Sequence, residues 1–110
     1  MIRISDYNED TDSLIISAIE DNEKVRKNFS LGDFIISMTA RGKIVSLEIR
    51  EFSAFLNEIG LDINKIKDYL NNMSLIVKPK KEILFIGVGL ENHPIIKQIP
   101  IANIPSQCIN

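Results

Sequence analysis

The spacing of apolar residues changes once along the chain and then changes back, which neither an all-helical nor an all-strand fold accommodates. From Ile2 to Ile49 the apolar residues recur at every second position in short runs. Ile2 and Ile4 alternate with Arg3 and Ser5. Leu14 to Ile19 follows the acidic stretch DYNEDTD (6–12), and Val25, Lys27, Phe29 and Leu31 define a third run. Phe34 to Met38 is a fourth, and Val45, Leu47 and Ile49 a fifth. A period of two marks a strand with one buried face. Asp21-Asn22, Gly32-Asp33 and Ala40-Arg41-Gly42-Lys43 punctuate the runs as turns do.

The period then lengthens. Phe52, Phe55, Leu56 and Ile59 fall at i, i+3, i+4 and i+7, which predicts a helix over about 52–59 ended by Gly60. Asp62 is a suitable N-cap for a second helix over about 63–72, striped by Ile63, Ile66, Leu70 and Met73. Strands resume with Leu75 to Val77, Ile83 to Val88 and Ile95 to Ile101. Pro100 and Pro105 remove backbone donors, so the last strand belongs at an edge or in a tail. The expected fold is α+β in a single domain over residues 1–110. It is an antiparallel β-meander of short strands with two short helices packed on it. Three further strands then complete or extend the sheet.

Composition limits what such a domain can be. The chain has 110 residues, is 45% apolar and has no Trp, and isoleucine is its most frequent apolar residue. So much isoleucine exceeds what a small protomer hides, and a homo-oligomer is the expected remedy. The single cysteine, Cys108, forms no intrachain disulfide, which fits a reducing compartment. Its position misses the prenylation signal. The sequons at Asn28 and Asn72 lack a secretory context, since no leader-like or membrane-spanning apolar run is present. The expectation is a cytoplasmic protein without a membrane role. Net charge is −2, against a strongly basic nucleic-acid binder. Residues 1–23 nevertheless carry Asp6, Glu9, Asp10, Asp12, Glu20, Asp21 and Glu23 against Arg3 alone, so the remainder is net basic. Such a split favours docking of like molecules or solvates two faces.

Residues 13–35 and 82–104 share apolar positions once one residue is added to the second turn, a weak repeat within the 58–110 part.

Two motifs resemble a known pattern. Ile4, Ser5 and then Tyr7-Asn8-Glu9-Asp10-Thr11-Asp12-Ser13-Leu14-Ile15-Ile16 form the first. Gly42-Lys43-Ile44-Val45-Ser46-Leu47-Glu48-Ile49, followed by Ser53-Ala54, forms the second. Over residues 1 to about 57 the chain resembles the domain-of-unknown-function 2283 family of small β-rich prokaryotic proteins. The departures are Asn8 for Asp, Asp10 for Glu, Ile15 for a second Tyr, and Ser46-Leu47 for Gly-Ile. The resemblance implies no catalytic set, because the family has none established. Its members lie near small toxin-like genes, which implies a small partner protein.

Asp6, Asn8 and Asp10 match the first three ligands of a calcium loop. Thr11 and Ser17 replace the glycine and the closing glutamate such a loop requires, so a turn with Asx hydrogen bonds is expected. His93, the only histidine, has no nucleophile or metal-ligand spacing near it. Gly87-Val88-Gly89 lacks the third glycine and the helix of a phosphate cradle. No cofactor, metal or catalytic residue is expected, and the protein is read as a non-enzyme. Two basic clusters, Lys24, Arg26, Lys27 and Lys78, Lys80, Lys81, are the candidate contacts of an alternative nucleic-acid-binding role. They lack the interleaved aromatics used for base stacking. The favoured function is an assembly or protein-binding module, with Ile95, Ile99 and Ile101 as candidate oligomer contacts on the last strand.

Overall fold

The structure is a computed structural model that describes residues 2–80, 83–89 and 95–100. Five strands, β1 (Ile2–Asn8), β2 (Ser13–Ile19), β3 (Lys27–Leu31), β4 (Phe34–Met38) and β5 (Ile44–Ile49), form an antiparallel sheet. Helix α1 (Phe52–Glu58) follows, then α2 (Ile63–Ile66), which runs into a 3-10 turn, Lys67–Tyr69. Strands β6 (Ser74–Lys80), β7 (Ile83–Gly89) and β8 (Ile95–Pro100) close the described chain. The class is α+β, as the change of period predicts.

Three details depart from the expectation. The sheet order is β1-β2-β5-β4-β3, so β5 and not β3 lies beside β2. Strands β2 to β5 thus make a Greek key, with β3-β4-β5 as its meander. Burial explains the choice. Val45, Leu47 and Ile49 of β5 are almost fully buried and suit a central strand. Lys27 and Asn28 place β3 at an edge, as Arg3 and Asp6 do for β1. The third run also begins two residues late, since Val25 is 43% exposed in the connection before Lys27.

The last three strands do not extend the first sheet. They form a second sheet, order β6-β7-β8, and its Ile86 and Val88 join the main core. The physical reason is coverage. The short helices bring three buried side chains, Phe52, Leu56 and Ile66, to the face of the sheet, with Phe55 and Ile63 partly buried beside them, and Leu70 and Met73 follow from the connection. A second sheet packed on the same face completes the burial. Each such fully buried side chain contributes about 1.5–3 kcal/mol. The segments compared as a repeat pair differently, for β7 lies beside β8 whereas β2 and β3 are not neighbours.

The acidic stretch is the turn between β1 and β2, and it also starts α1. Asp12 and Glu51 both take left-handed backbone conformations, at φ 50° and 51°. The Phe52 N–H donates to the Asp12 carbonyl at 2.9 Å. The Ser53 N–H donates to both carboxylate oxygens of Asp12 at 3.1 Å, and the Ser53 hydroxyl donates to Oδ1 at 2.8 Å. The Tyr7 hydroxyl donates to the same Oδ1 at 2.6 Å. Helix α1 is therefore capped by a residue 41 positions upstream. Tyr7 and Phe52 then pack ring to ring at 5.8 Å, and Phe55 meets Phe34 edge-on at 5.3 Å.

Burial alone would raise the Asp12 carboxyl, but the hydrogen bonds from Tyr7 and Ser53 outweigh it and hold the group below its ordinary value. Burial, and then the bond to Asp12, push the Tyr7 phenol up, so it keeps its proton. With a depressed folded pKa, the stabilisation by Asp12 is present above about pH 4 and is lost as pH falls through the folded value. Asp12→Ala is expected to cost about 2 kcal/mol in urea denaturation at neutral pH. Asp12→Asn should cost less and should flatten the loss of stability below about pH 4.

Candidate assembly surface

The two faces of the five-stranded sheet differ in kind. On one face Leu14, Ile16, Ile36, Leu47 and Ile49 are buried under Phe52, Leu56, Ile86 and Val88. The other face is set by the register. Ile4, Ser17, Ser46, Ser37 and Asn28 stand side by side across the sheet. The next row toward the acidic turn is Asp6, Ile15, Glu48, Ile35 and Ser30. Ile2 pairs with Ile19 at the other end. Among the described residues, the side chains from outside the sheet that enter the core all do so on the first face.

The outer face is neither plainly polar nor plainly apolar. Ile2 and Ile4 are 53% and 46% exposed, while Ile15, Ile19 and Ile35 are half-buried. The hydroxyl groups between them are joined to neighbours. Ser17 and Ser46 share a hydrogen bond of 2.8 Å, and Ser37 donates to Asn28 Oδ1 at 2.6 Å. Glu48 pairs with Arg50 at 3.2 Å. Hydroxyls already bonded to one another lose less when water is removed than free ones do.

The two ends of this face carry opposite charge. The registers bring the turns at 9–12 and 32–33 and the end of β5 to one end. Asp6, Glu9, Asp10, Asp12, Asp33, Glu48 and Glu51 gather there against Arg50 and Lys67, the latter 3.0 Å from Glu9. A hollow of about 410 Å³ lies among them, lined by Asp6, Asn8, Ser13, Ile15, Glu48 and Glu51 with Thr11 and Arg50. Opposite, the β2–β3 connection crosses the β4–β5 turn. Its crossing is held by the Arg26 N–H, which donates to the Met38 carbonyl at 2.8 Å, and by Lys43, which lies 3.0 Å from the Glu23 carboxylate. Lys24, Arg26 and Arg41 line a cleft of about 400 Å³ there, with Asn22, Glu23, Thr39 and Ala40.

This placement corrects the charge split read along the chain. Glu20, Asp21 and Glu23 belong to the sequence's acidic third but stand at the basic end, because β2 carries them away from the acidic turn. Glu23 is occupied in the clasp. The Glu20 N–H donates to it at 2.8 Å and, with Lys43, holds its carboxyl below the ordinary value.

The expected site residues are only partly gathered. Lys24 and Arg26 share the cleft, whereas Lys27 begins β3 opposite Met38. Lys78 is exposed on β6 of the other sheet, and Lys80 ends that strand. The side chain of Lys80 and all of Lys81 lie outside the described residues. Strand β8 is an edge of the second sheet, as Pro100 suits, and contains Ile95 and Ile99. Their side chains, and Ile101, also lie outside the described residues, as do His93 and Cys108. In the acidic turn the Asp10 N–H donates to Asn8 Oδ1 at 2.9 Å, the Asx bond expected there. Gly89 faces Ser74 so closely that a Cβ would lie 2.6 Å from its hydroxyl, a close approach of the kind glycine permits. The nearness of Arg41 to Lys24 depends on the Greek-key crossing, which the hairpin residues 40–43 do not by themselves reveal. The outward serines at 13, 17, 37 and 46 were legible as the polar half of each alternation.

In comparisons with known proteins, no family model, no curated protein and no solved structure matches the chain.

The clasp makes a pH prediction. A carboxylate with a lowered folded pKa keeps its bonds on the alkaline side and loses them on acidification. The Glu20 amide proton should therefore exchange slowly and titrate below a free glutamate in NMR, and Glu23→Ala should abolish both behaviours.

Proposed function

We propose that the protein is a non-enzymatic assembly module that forms a homo-oligomer by covering the open face of its five-stranded sheet. The observation that carries this reading is the isoleucine strip of the β1–β2 hairpin. Ile2 and Ile4 are left about half exposed beside half-buried Ile15 and Ile19, on a face whose hydroxyls are already hydrogen-bonded. Size agrees. Strands about 4.8 Å apart and about 3.3 Å per residue give the face about 480 Å² per protomer, or about 1,000 Å² for a pair, the lower limit for a specific interface. The resemblance to the domain-of-unknown-function 2283 pattern is compatible with it, since Tyr7, Asp12 and Ser53 of its motifs are bound to one another as a joint. The lining of the basic cleft contains no aromatic ring, which counts against base stacking there.

Light scattering coupled to size exclusion tests the proposal. The wild type should be oligomeric at micromolar concentration, and a monomer up to millimolar concentration overturns the reading. Ile4→Asp should raise the dissociation constant about a hundredfold, because it sets an unpaired charge in the covered face, while its melt should match that of wild type diluted to monomer. Ser17→Val with Ser46→Val should tighten association, since both partners of one hydrogen bond are replaced together.

A further inference from the structure

The open face is polar along its strands, and that polarity bears on how two copies meet. At one end Asp6, which lines the acidic hollow, and Asp10 and Asp33 of the adjoining turns are exposed. At the other, Lys24, Arg26 and Arg41 stand in the basic cleft; Glu23, the one carboxylate among its described lining residues, is engaged by Lys43 and the Glu20 N–H, and Glu20 and Asp21 precede it on the connection from β2. Among the described residues, none of these three cations has an ion-pair partner.

Two copies of a sheet stacked face to face about a two-fold axis with their strands aligned meet in one of two ways. An axis parallel to the strands sets acidic end on acidic end and basic on basic. An axis across the strands sets each acidic end over the partner's basic cleft. Like charges brought together repel and opposite charges steer docking and fix register. A closed two-fold pair uses both complementary ends of each copy at once, whereas a head-to-tail contact leaves one of each free and propagates.

Resting on the self-association reading, we infer that the occupant of the open face is a second copy of this chain docked antiparallel, with the Asp6, Asp10 and Asp33 end of each copy over the Lys24, Arg26 and Arg41 cleft of the other. The isoleucine strips meet along the β1–β2 edge of the interface, since an axis across the strands sets β1 over β1. The charged ends select the orientation.

The experiment compares the full chain with two charge-reversed variants, Asp6→Lys/Asp10→Lys/Asp33→Lys and Lys24→Glu/Arg26→Glu/Arg41→Glu, by sedimentation and light scattering. All six positions are exposed, and thermal melts check that each variant folds. Wild-type dimers should weaken at least about tenfold between about 0.05 M and about 0.5 M salt, since screening shortens the reach of exposed charges. Each reversed variant alone should be monomeric where the wild type pairs, and a mixture of the two should recover a dimer. Zero-length carbodiimide cross-linking of mixed heavy- and light-isotope protein should join Lys24 of one copy to Asp6 or Asp10 of the other. Association that tightens with salt, cross-links joining like ends, or growth beyond a dimer overturns the antiparallel pair. If both reversed variants pair as the wild type does while Ile4→Asp remains monomeric, the orientation is wrong and the assembly reading stands. A wild type monomeric at every salt concentration removes both.

Discussion

The carboxylate of Asp12 is the point on which the layout of the fold turns. It stands in the turn between β1 and β2, in a left-handed backbone conformation, and binds Tyr7 and Ser53 together. With the Asp12 carbonyl accepting from Phe52, that single residue aims α1 across the sheet end. The aromatic contacts of Phe52 and Phe55 follow from the aim. A helix this short has little stability of its own and depends on packing and capping. The left-handed residues at 12 and 51 each carry some strain, and the hydrogen bonds around Asp12 offset it.

A second joint sits at the opposite end. The connection from β2 must pass the ends of β5 and β4 before β3 begins, and it does so under the Glu23–Lys43 clasp. The crossing puts Lys24 and Arg26 beside Arg41. The same topology leaves Glu20 and Asp21 at the basic end and the DYNEDTD turn at the acidic end. The charge polarity of the sheet is thus a product of strand order, and the assembly proposal draws on it directly.

Much of the fold was legible in the residues. The alternations at Leu14–Ile19 and Phe34–Met38 state which side chains face the core, and the i, i+3, i+4 spacing from Phe52 states where strands give way to a helix. The second helix was overread, for its stripe through Met73 covers only one α-helical turn, Ile63–Ile66, and a 3-10 turn. Asp62 caps it as expected, accepting from the Asn64 N–H at 2.9 Å. The stripe misled because Leu70 and Met73 are buried from an irregular connection, where Ser5 Oγ donates to the Leu70 carbonyl and accepts from the Met73 N–H. Apolar spacing reports burial, and burial does not require helix.

What the sequence alone determined is local: the strands and turns, the α1 segment, the edge character of β8, and the Asx turn at Asn8 and Asp10. Each depends on the periodicity or stereochemistry of neighbouring residues. Which strand lies beside β2, which face the last three strands cover, and where Asp12 finds its partners were decided only by tertiary structure. Those outcomes depend on competition among apolar strands for the centre of the sheet and for its uncovered face. Val45, Leu47 and Ile49 win the central place through total burial, a quantity that no single segment contains.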